Sequence, residues 1–198
     1  MIDVAQPLRA AHDRRSAALQ GCLGAAIAPP RHMRDKRPRL DPALYTGLQQ
    51  YFLTFCVAGR RGVFVDATTV GVVRDQILRS AADFYFAVIA YCFMPDHVHL
   101  LIEALRDDAD AARFVHQAKQ RSGYAFSKQR GSPLWQPSFY DHILRGTEAT
   151  LSVVRYILEN PVRAGLVAAT EDYPFSGASH YAIRDVMEAA CWKPGGQP

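Results

Sequence analysis

Phe84-Tyr85-Phe86-Ala87-Val88-Ile89-Ala90-Tyr91-Cys92-Phe93-Met94-Pro95-Asp96-His97-Val98-His99-Leu100-Leu101-Ile102-Glu103 decides the fold. Two apolar runs, each of strand length and rich in aromatic or branched residues, flank a short polar break. Met94-Pro95-Asp96 interrupts them, because proline cannot continue a central ladder. The stretch reads as a strand over Phe84–Phe93, a turn, and a strand over His97–Glu103. Upstream, Tyr51–Val57 reads as a first buried strand, and Ala58–Gly62 as a turn with Arg60 and Arg61 at its tip. Asp66 or Thr68 can cap a helix running to about Ala82. Downstream, Asp107-Asp108-Ala109-Asp110 opens a longer helix to about Gln129, its acids facing the positive helix start. Leu134–Arg145 reads as a fourth strand. Thr147 caps a final helix to about Asn160, where Pro161 ends it. The order β-α-β-β-α-β-α predicts an α+β chain with a ferredoxin-like (split βαβ) antiparallel sheet, helices on one face and a C-terminal helix carrying Tyr156.

The chain has 198 residues, 49% hydrophobic and 21% charged, which fits one ordinary domain and excludes wholesale disorder or a coiled coil. Cys22, Cys56, Cys92 and Cys191 lie far apart with no Cys-x-x-Cys pair. Neither a zinc ribbon nor a disulfide scaffold is expected; reduced thiols in a cytoplasmic protein fit. No run approaches the roughly 18 apolar residues of a membrane span. Residues 1–40 hold eight Lys/Arg against three Asp/Glu, whereas residues 41–198 hold fifteen against sixteen. The basic excess sits in the N-terminal arm and suggests an anionic partner for it. Arg14-Arg15 and Cys22 are too close together for an export signal, because no adequate apolar region separates them. The expected organisation is a basic arm over 1–44, a domain over 45–182 and a tail over 183–198.

His97 and His99 are two apart in a strand, so both leave the same face of the sheet, roughly 7 Å apart at Cα. Two imidazoles at that spacing can close on one divalent ion, while Val98 points into the core. By itself the pair is a weak signal, and two half-exposed strand histidines are its plainer reading. No His-Glu-x-x-His helix is present, and Leu101 stands where a histidine-triad hydrolase would need a third histidine. In the last helix, Tyr156 and Asn160 are four apart and share one face.

Three segments carry a family resemblance: Met94–Ile102, Trp135-Gln136-Pro137-Ser138-Phe139-Tyr140-Asp141-His142-Ile143-Leu144-Arg145, and Tyr156-Ile157-Leu158-Glu159-Asn160-Pro161-Val162-Arg163-Ala164-Gly165-Leu166-Val167. In order and spacing the chain resembles the HUH single-tyrosine transposases, and among them the REP-associated (IS200-like) branch, over about residues 45–182. The resemblance implies that His97 and His99 bind a divalent metal, that Asn160 supplies a third ligand, and that Tyr156 is the nucleophile. It implies a substrate of single-stranded, REP-like hairpin DNA and a monomer acting in cis, with a homodimer the other arrangement in the superfamily.

Such chemistry suits these residue types. A tyrosine that attacks phosphorus and expels a 3′-hydroxyl stores the phosphodiester bond as a 5′-phosphotyrosine, where water would discard it. A phenol is a weak nucleophile at neutral pH and needs electrophilic help at the phosphate. Two imidazoles and an amide leave positions open for phosphate and water, which suits Mg2+ or Mn2+. Candidates for a basic track along a single strand are Arg60, Arg61, Arg113, Lys119, Arg121, Lys128, Arg130, Arg145, Arg155 and Arg163, with Tyr124, Phe126, Trp135, Phe139 and Tyr140 as rings. The expected activity is a DNA endonuclease and strand transferase. A domesticated protein that binds hairpins without turnover, and a simple single-strand nuclease, are its rivals.

Overall fold

The computed structural model describes residues 41–144, 147–179 and 185–186. Its elements are β1 (Gln50–Cys56), α1 (Ala67–Asp83), β2 (Phe86–Met94), β3 (His97–Ala104), α2 (Ala111–Arg130), β4 (Tyr140–Leu144), α3 (Thr147–Arg163) and a two-residue β5 (Ser176–Gly177). The sheet order is β4-β1-β3-β2-β5, with every neighbouring pair antiparallel. Each βαβ unit is thus split by a strand running the other way, as expected of the ferredoxin-like α+β class.

α1 and α2 cover one face of the sheet. Val70, Val73 and Ile77 of α1 and Phe114, Val115 and Ala118 of α2 pack on Leu53, Phe55, Val98, Leu100 and Ile102. The opposite face takes α3, whose Val153, Val154, Ile157 and Leu158 sit at helical spacing against β2 and β3. The two layers need β2 to be apolar on both sides, and all nine of its residues are buried. Its pairing with β3 slips between Val88 and Ala90, leaving Ile89 as the extra residue of a bulge. The bulge shifts the alternation by one. Phe86 and Val88 face α1 and α2 before it, Tyr91 and Phe93 after it, and Ala90, Cys92 and Met94 turn to α3.

Several boundaries differ from those read in the sequence. β2 starts at Phe86 because Tyr85 takes a left-handed φ of 60° between helix and strand. Met94 still pairs with His97, so Pro95-Asp96 alone forms the turn. α2 is capped by Asp110, whose carboxylate accepts from the Arg113 N–H. Leu134–Phe139 is not strand: a single bridge joins Trp135 to Val57, and Pro133 and Pro137 lack ladder donors. The carbonyls of Gln136, Pro137 and Ser138 instead converge on Lys119 Nζ at 2.7, 3.1 and 2.9 Å.

Pro161 does not stop α3. It sits in the last turn, and the helix ends where Gly165 adopts φ 70°. Gly165 N–H donates to Val162 O and Leu166 N–H to Pro161 O, the paired bonds of a Schellman cap. The extra turn brings Arg163 onto the side of Tyr156.

Candidate functional site

β3 begins immediately after the Pro95-Asp96 turn, so its first residue, His97, is held between a tight turn and a central strand. His97 and His99 share the face covered by α3, and Val98 is fully buried on the other. The two imidazoles meet edge to face, with their Nε2 atoms 3.1 Å apart. Both Nδ1 atoms are engaged from behind. His97 Nδ1 lies 2.6 Å from Asp96 Oδ1, and His99 Nδ1 lies 2.9 Å from the Oγ1 of Thr54, its cross-strand partner on β1. Asp96 in turn holds Arg60, with Oδ2 at 3.0 Å from the guanidinium Nε.

Burial lowers the pKa of His97 against the opposing pull of Asp96, and it lowers that of the more deeply buried His99 well below the usual value, helped by His97 and Arg60. Both rings are therefore neutral at pH 7. An ionised carboxylate only accepts, so His97 carries its proton on Nδ1 and a lone pair on Nε2. The Thr54 hydroxyl can donate or accept, and when it accepts from His99 Nδ1–H the second Nε2 also presents a lone pair. Two lone pairs so placed favour a cation between them. Cis ligands at about 2.1 Å from an octahedral ion stand about 3.0 Å apart, close to the spacing found. The donor set fits a divalent metal, with the outer hydrogen bonds that orient metal-bound histidines.

A stability consequence follows. With both pKa values lowered in the fold, the unfolded chain takes up protons first as pH falls below about 6.5, so stability is full above that value and declines below it. Urea midpoints should drop between pH 7.5 and 5.5, and drop less in a chain carrying His97→Gln and His99→Gln.

α3 supplies the phenol. Its buried stripe runs through Thr150, Val153, Val154, Ile157, Leu158 and Pro161, which leaves Tyr156 half-buried at the stripe's edge. The Tyr156 ring lies 5.6 Å from that of His99 and 5.9 Å from that of Phe52, centroid to centroid. Among the described residues its hydroxyl has no hydrogen-bond partner. The Arg163 guanidinium stands 5.3 Å from the ring centre, a cation–π distance. Asn160, one turn on, donates from Nδ2 to the Tyr156 carbonyl at 3.4 Å. No group of three His, Cys, Asp or Glu suited to a metal occurs among the described residues, so a third ligand drawn from them would be of another type.

The basic residues divide. Arg155 and Arg163 lie on α3, the helix of Tyr156. Arg113, Lys119, Arg121, Lys128 and Arg130 belong to α2, beyond the sheet from the histidines. Arg121 pairs with Asp83, and Arg130 with Asp66. Arg61 donates to Pro133 O at 2.6 Å and Ala58 O at 3.1 Å, which ties its loop to the end of α2. Lys119 spends its three donors on three carbonyls. Lys119→Met should cost about 1 kcal/mol in urea unfolding, since only the Gln136 carbonyl is partly buried and water can reach the other two, without changing activity per folded molecule. Arg145 lies outside the described residues.

Of the rings, Phe126 is core, and Trp135 packs on Phe55 and Phe64 while donating to Ser122 Oγ at 2.9 Å. Phe139 packs against the same core and Tyr124 is exposed. Tyr140, opposite Thr54 on β4, reaches Phe52 on the histidine face. Asp141 faces the other way, accepting from the Tyr45 hydroxyl, and His142 is exposed. Asp96 and Thr54 are the two site residues that sequence reasoning missed. Asp96 stood inside the quoted motif, whereas Thr54 carried no local signal.

The family described as "Transposase IS200 like" matches residues 46–160, more than half of the chain. The chain belongs to the IS200-like transposases. It is 29% identical over 126 residues to the REP-associated tyrosine transposase of Escherichia coli K12, covering 64% of this chain and 74% of that protein. It is 30% identical over 118 residues to the ISDra2 transposase TnpA of Deinococcus radiodurans, covering 56% and 82%. A solved structure of a REP-associated tyrosine transposase bound to a REP hairpin superposes with a TM-score of 0.59 at 27% identity, covering 73% of this chain and 82% of that one. Among the described residues of this transposase, no helix is long and apolar enough to cross a membrane.

Proposed function

We propose that this transposase cuts single-stranded DNA beside a hairpin and rejoins it through a 5′-phosphotyrosine at Tyr156, with Mg2+ or Mn2+ held by His97, His99 and Asn160. The observation that carries the reading is the contact between Tyr156 and His99, which puts a phenol with no hydrogen-bond partner among the described residues beside paired imidazole nitrogens within one chain. The hairpin enters from the relative solved with one bound.

In this mechanism Tyr156 Oη forms a bond to phosphorus as the bond to the 3′-oxygen breaks. The phenolic proton goes to solvent, and the departing 3′-oxygen takes one up. A 3′-hydroxyl attacking the phosphotyrosine reverses the step and joins the strand. The bound ion would neutralise phosphate charge and polarise the leaving oxygen. His97 and His99 hold their lone pairs ready because Asp96 and Thr54 take the other ring nitrogen. Asn160 turns its Nδ2 to the helix and so projects Oδ1 away from it. Arg163, beside the phenol, is placed to meet a phosphate. Arg155 shares its helix, and Arg61, Arg113, Arg121, Lys128 and Arg145 remain candidates for more distant backbone contacts. The tyrosine reaches its own chain's histidines, which favours a monomer acting in cis.

Incubating the protein with a labelled hairpin bearing single-stranded flanks and Mn2+, then running a denaturing gel, tests the proposal. A protein–DNA adduct that EDTA abolishes is expected. Cleaved ends without an adduct would make the protein a hydrolytic nuclease, and binding without cleavage a hairpin-binding protein.

A further inference from the structure

The loop between β1 and α1 is fastened to the β2–β3 turn. Val57 N–H donates to Asp96 O at 2.9 Å, and the N–H groups of Val63 and Phe64 donate to Pro95 O at 2.8 and 3.0 Å. Within it Gly59 and Arg60 take consecutive left-handed conformations, with φ of 68° and 55°. That is an unfavourable backbone for arginine, and such outliers persist only where the surroundings hold them. Here the conformation folds the side chain back on the turn. Nε meets Asp96 Oδ2 at 3.0 Å and Nη1 meets Cys56 Sγ at 3.0 Å. Asp96 gives one oxygen to Arg60 and the other to His97 Nδ1. Its carboxylate cannot turn without losing a partner, and the His97 ring cannot turn without losing Asp96.

We propose that Arg60 is a positioning residue: through Asp96 it locks the His97 imidazole so that Nε2 faces the Nε2 of His99. The inference rests on reading these histidines as metal ligands. It assigns to the centre an arginine whose place in a surface turn suggested a DNA contact. A phosphate-binding arginine would extend from the turn, whereas this one crosses back to a carboxylate one residue from the ligand.

The test compares wild type, Arg60→Gln, Arg60→Lys, Asp96→Asn and the Arg60→Gln/Asp96→Asn double variant. Binding of Mn2+ alone is followed by the electron paramagnetic resonance of the free ion. Asp96→Asn should weaken Mn2+ about 10–100-fold, the range seen for partners directly behind a ligand, and Arg60→Gln, one step further out, about fivefold. The double variant should match Asp96→Asn, because Arg60 has nothing left to act through, and Arg60→Lys should recover part of the loss. Hairpin affinity in EDTA should be unchanged by Arg60→Gln. Additive effects in the double variant, or unchanged Mn2+ affinity with reduced hairpin affinity, would overturn the proposal in favour of a phosphate contact. The 15N spectrum of the imidazoles, taken without metal, tests the positioning separately. Wild type should show His97 protonated at Nδ1, and Arg60→Gln a mixture of tautomers; an unchanged spectrum overturns the locking role. Wild-type protein that fails to bind Mn2+ would overturn the ligand reading instead, while the tautomer result still decides what Arg60 does.

Discussion

Tyr156→Phe is expected to eliminate the covalent protein–DNA adduct, lowering strand cleavage by about 10³-fold or more, while fold and Mn2+ affinity stay as in wild type. The substitution removes one oxygen. That oxygen has no hydrogen-bond partner among the described residues, so its loss strands no buried group, and stability should stay within about 0.5 kcal/mol. The ring itself packs on Phe52 and His99 and survives in phenylalanine. A quantitative denaturing gel, with thermal unfolding and Mn2+ titration on the same preparation, checks all three expectations. Persistence of the adduct would move the nucleophile, and Tyr140 would be the first candidate, since it lies on the same face and also packs on Phe52.

His97→Gln and His99→Gln together should abolish the adduct as well, by a different route: Mn2+ affinity falls at least about 100-fold, and added Mn2+ does not restore cleavage in the usual range. Glutamine keeps a polar group near Asp96 and Thr54, so neither partner is abandoned. Neither amide, however, can place two nitrogen lone pairs 3.1 Å apart as the imidazoles do. Hairpin binding measured in EDTA should survive. Loss of hairpin binding along with metal binding would mean that the histidines hold up the fold instead of forming a separable site.

The hairpin around Pro95 and the face shared by His97 and His99 were legible because both are local: a proline break and a period of two suffice. Tyr156 and Asn160 were legible for the same reason at helical spacing. What Tyr156 and Asn160 would do came from the resemblance alone. What could not be read depends on contacts distant in sequence. Thr54 stands behind His99 only because β1 pairs with β3 in one register. The bulge at Ile89 is hidden in an unbroken apolar run, where periodicity has nothing to display. The partners of the basic residues were hidden for a related reason. A charged side chain in a surface turn looks solvent-directed until its partner is seen, and Arg60, Arg61 and Lys119 all found theirs inside the chain. Leu134–Phe139 has the letters of a strand, but Pro137 within it and Pro133 before it leave carbonyls for an ammonium to collect.

The central claim is that the imidazoles of β3 and the phenol of α3 surround one divalent ion. A crystal structure of the protein soaked with Mn2+, with diffraction recorded at the manganese absorption edge, tests it most directly. The expected result is one anomalous peak within coordination distance of His97 Nε2 and His99 Nε2, with the Tyr156 hydroxyl facing it. A peak held by other residues, or none at millimolar Mn2+, would contradict the account.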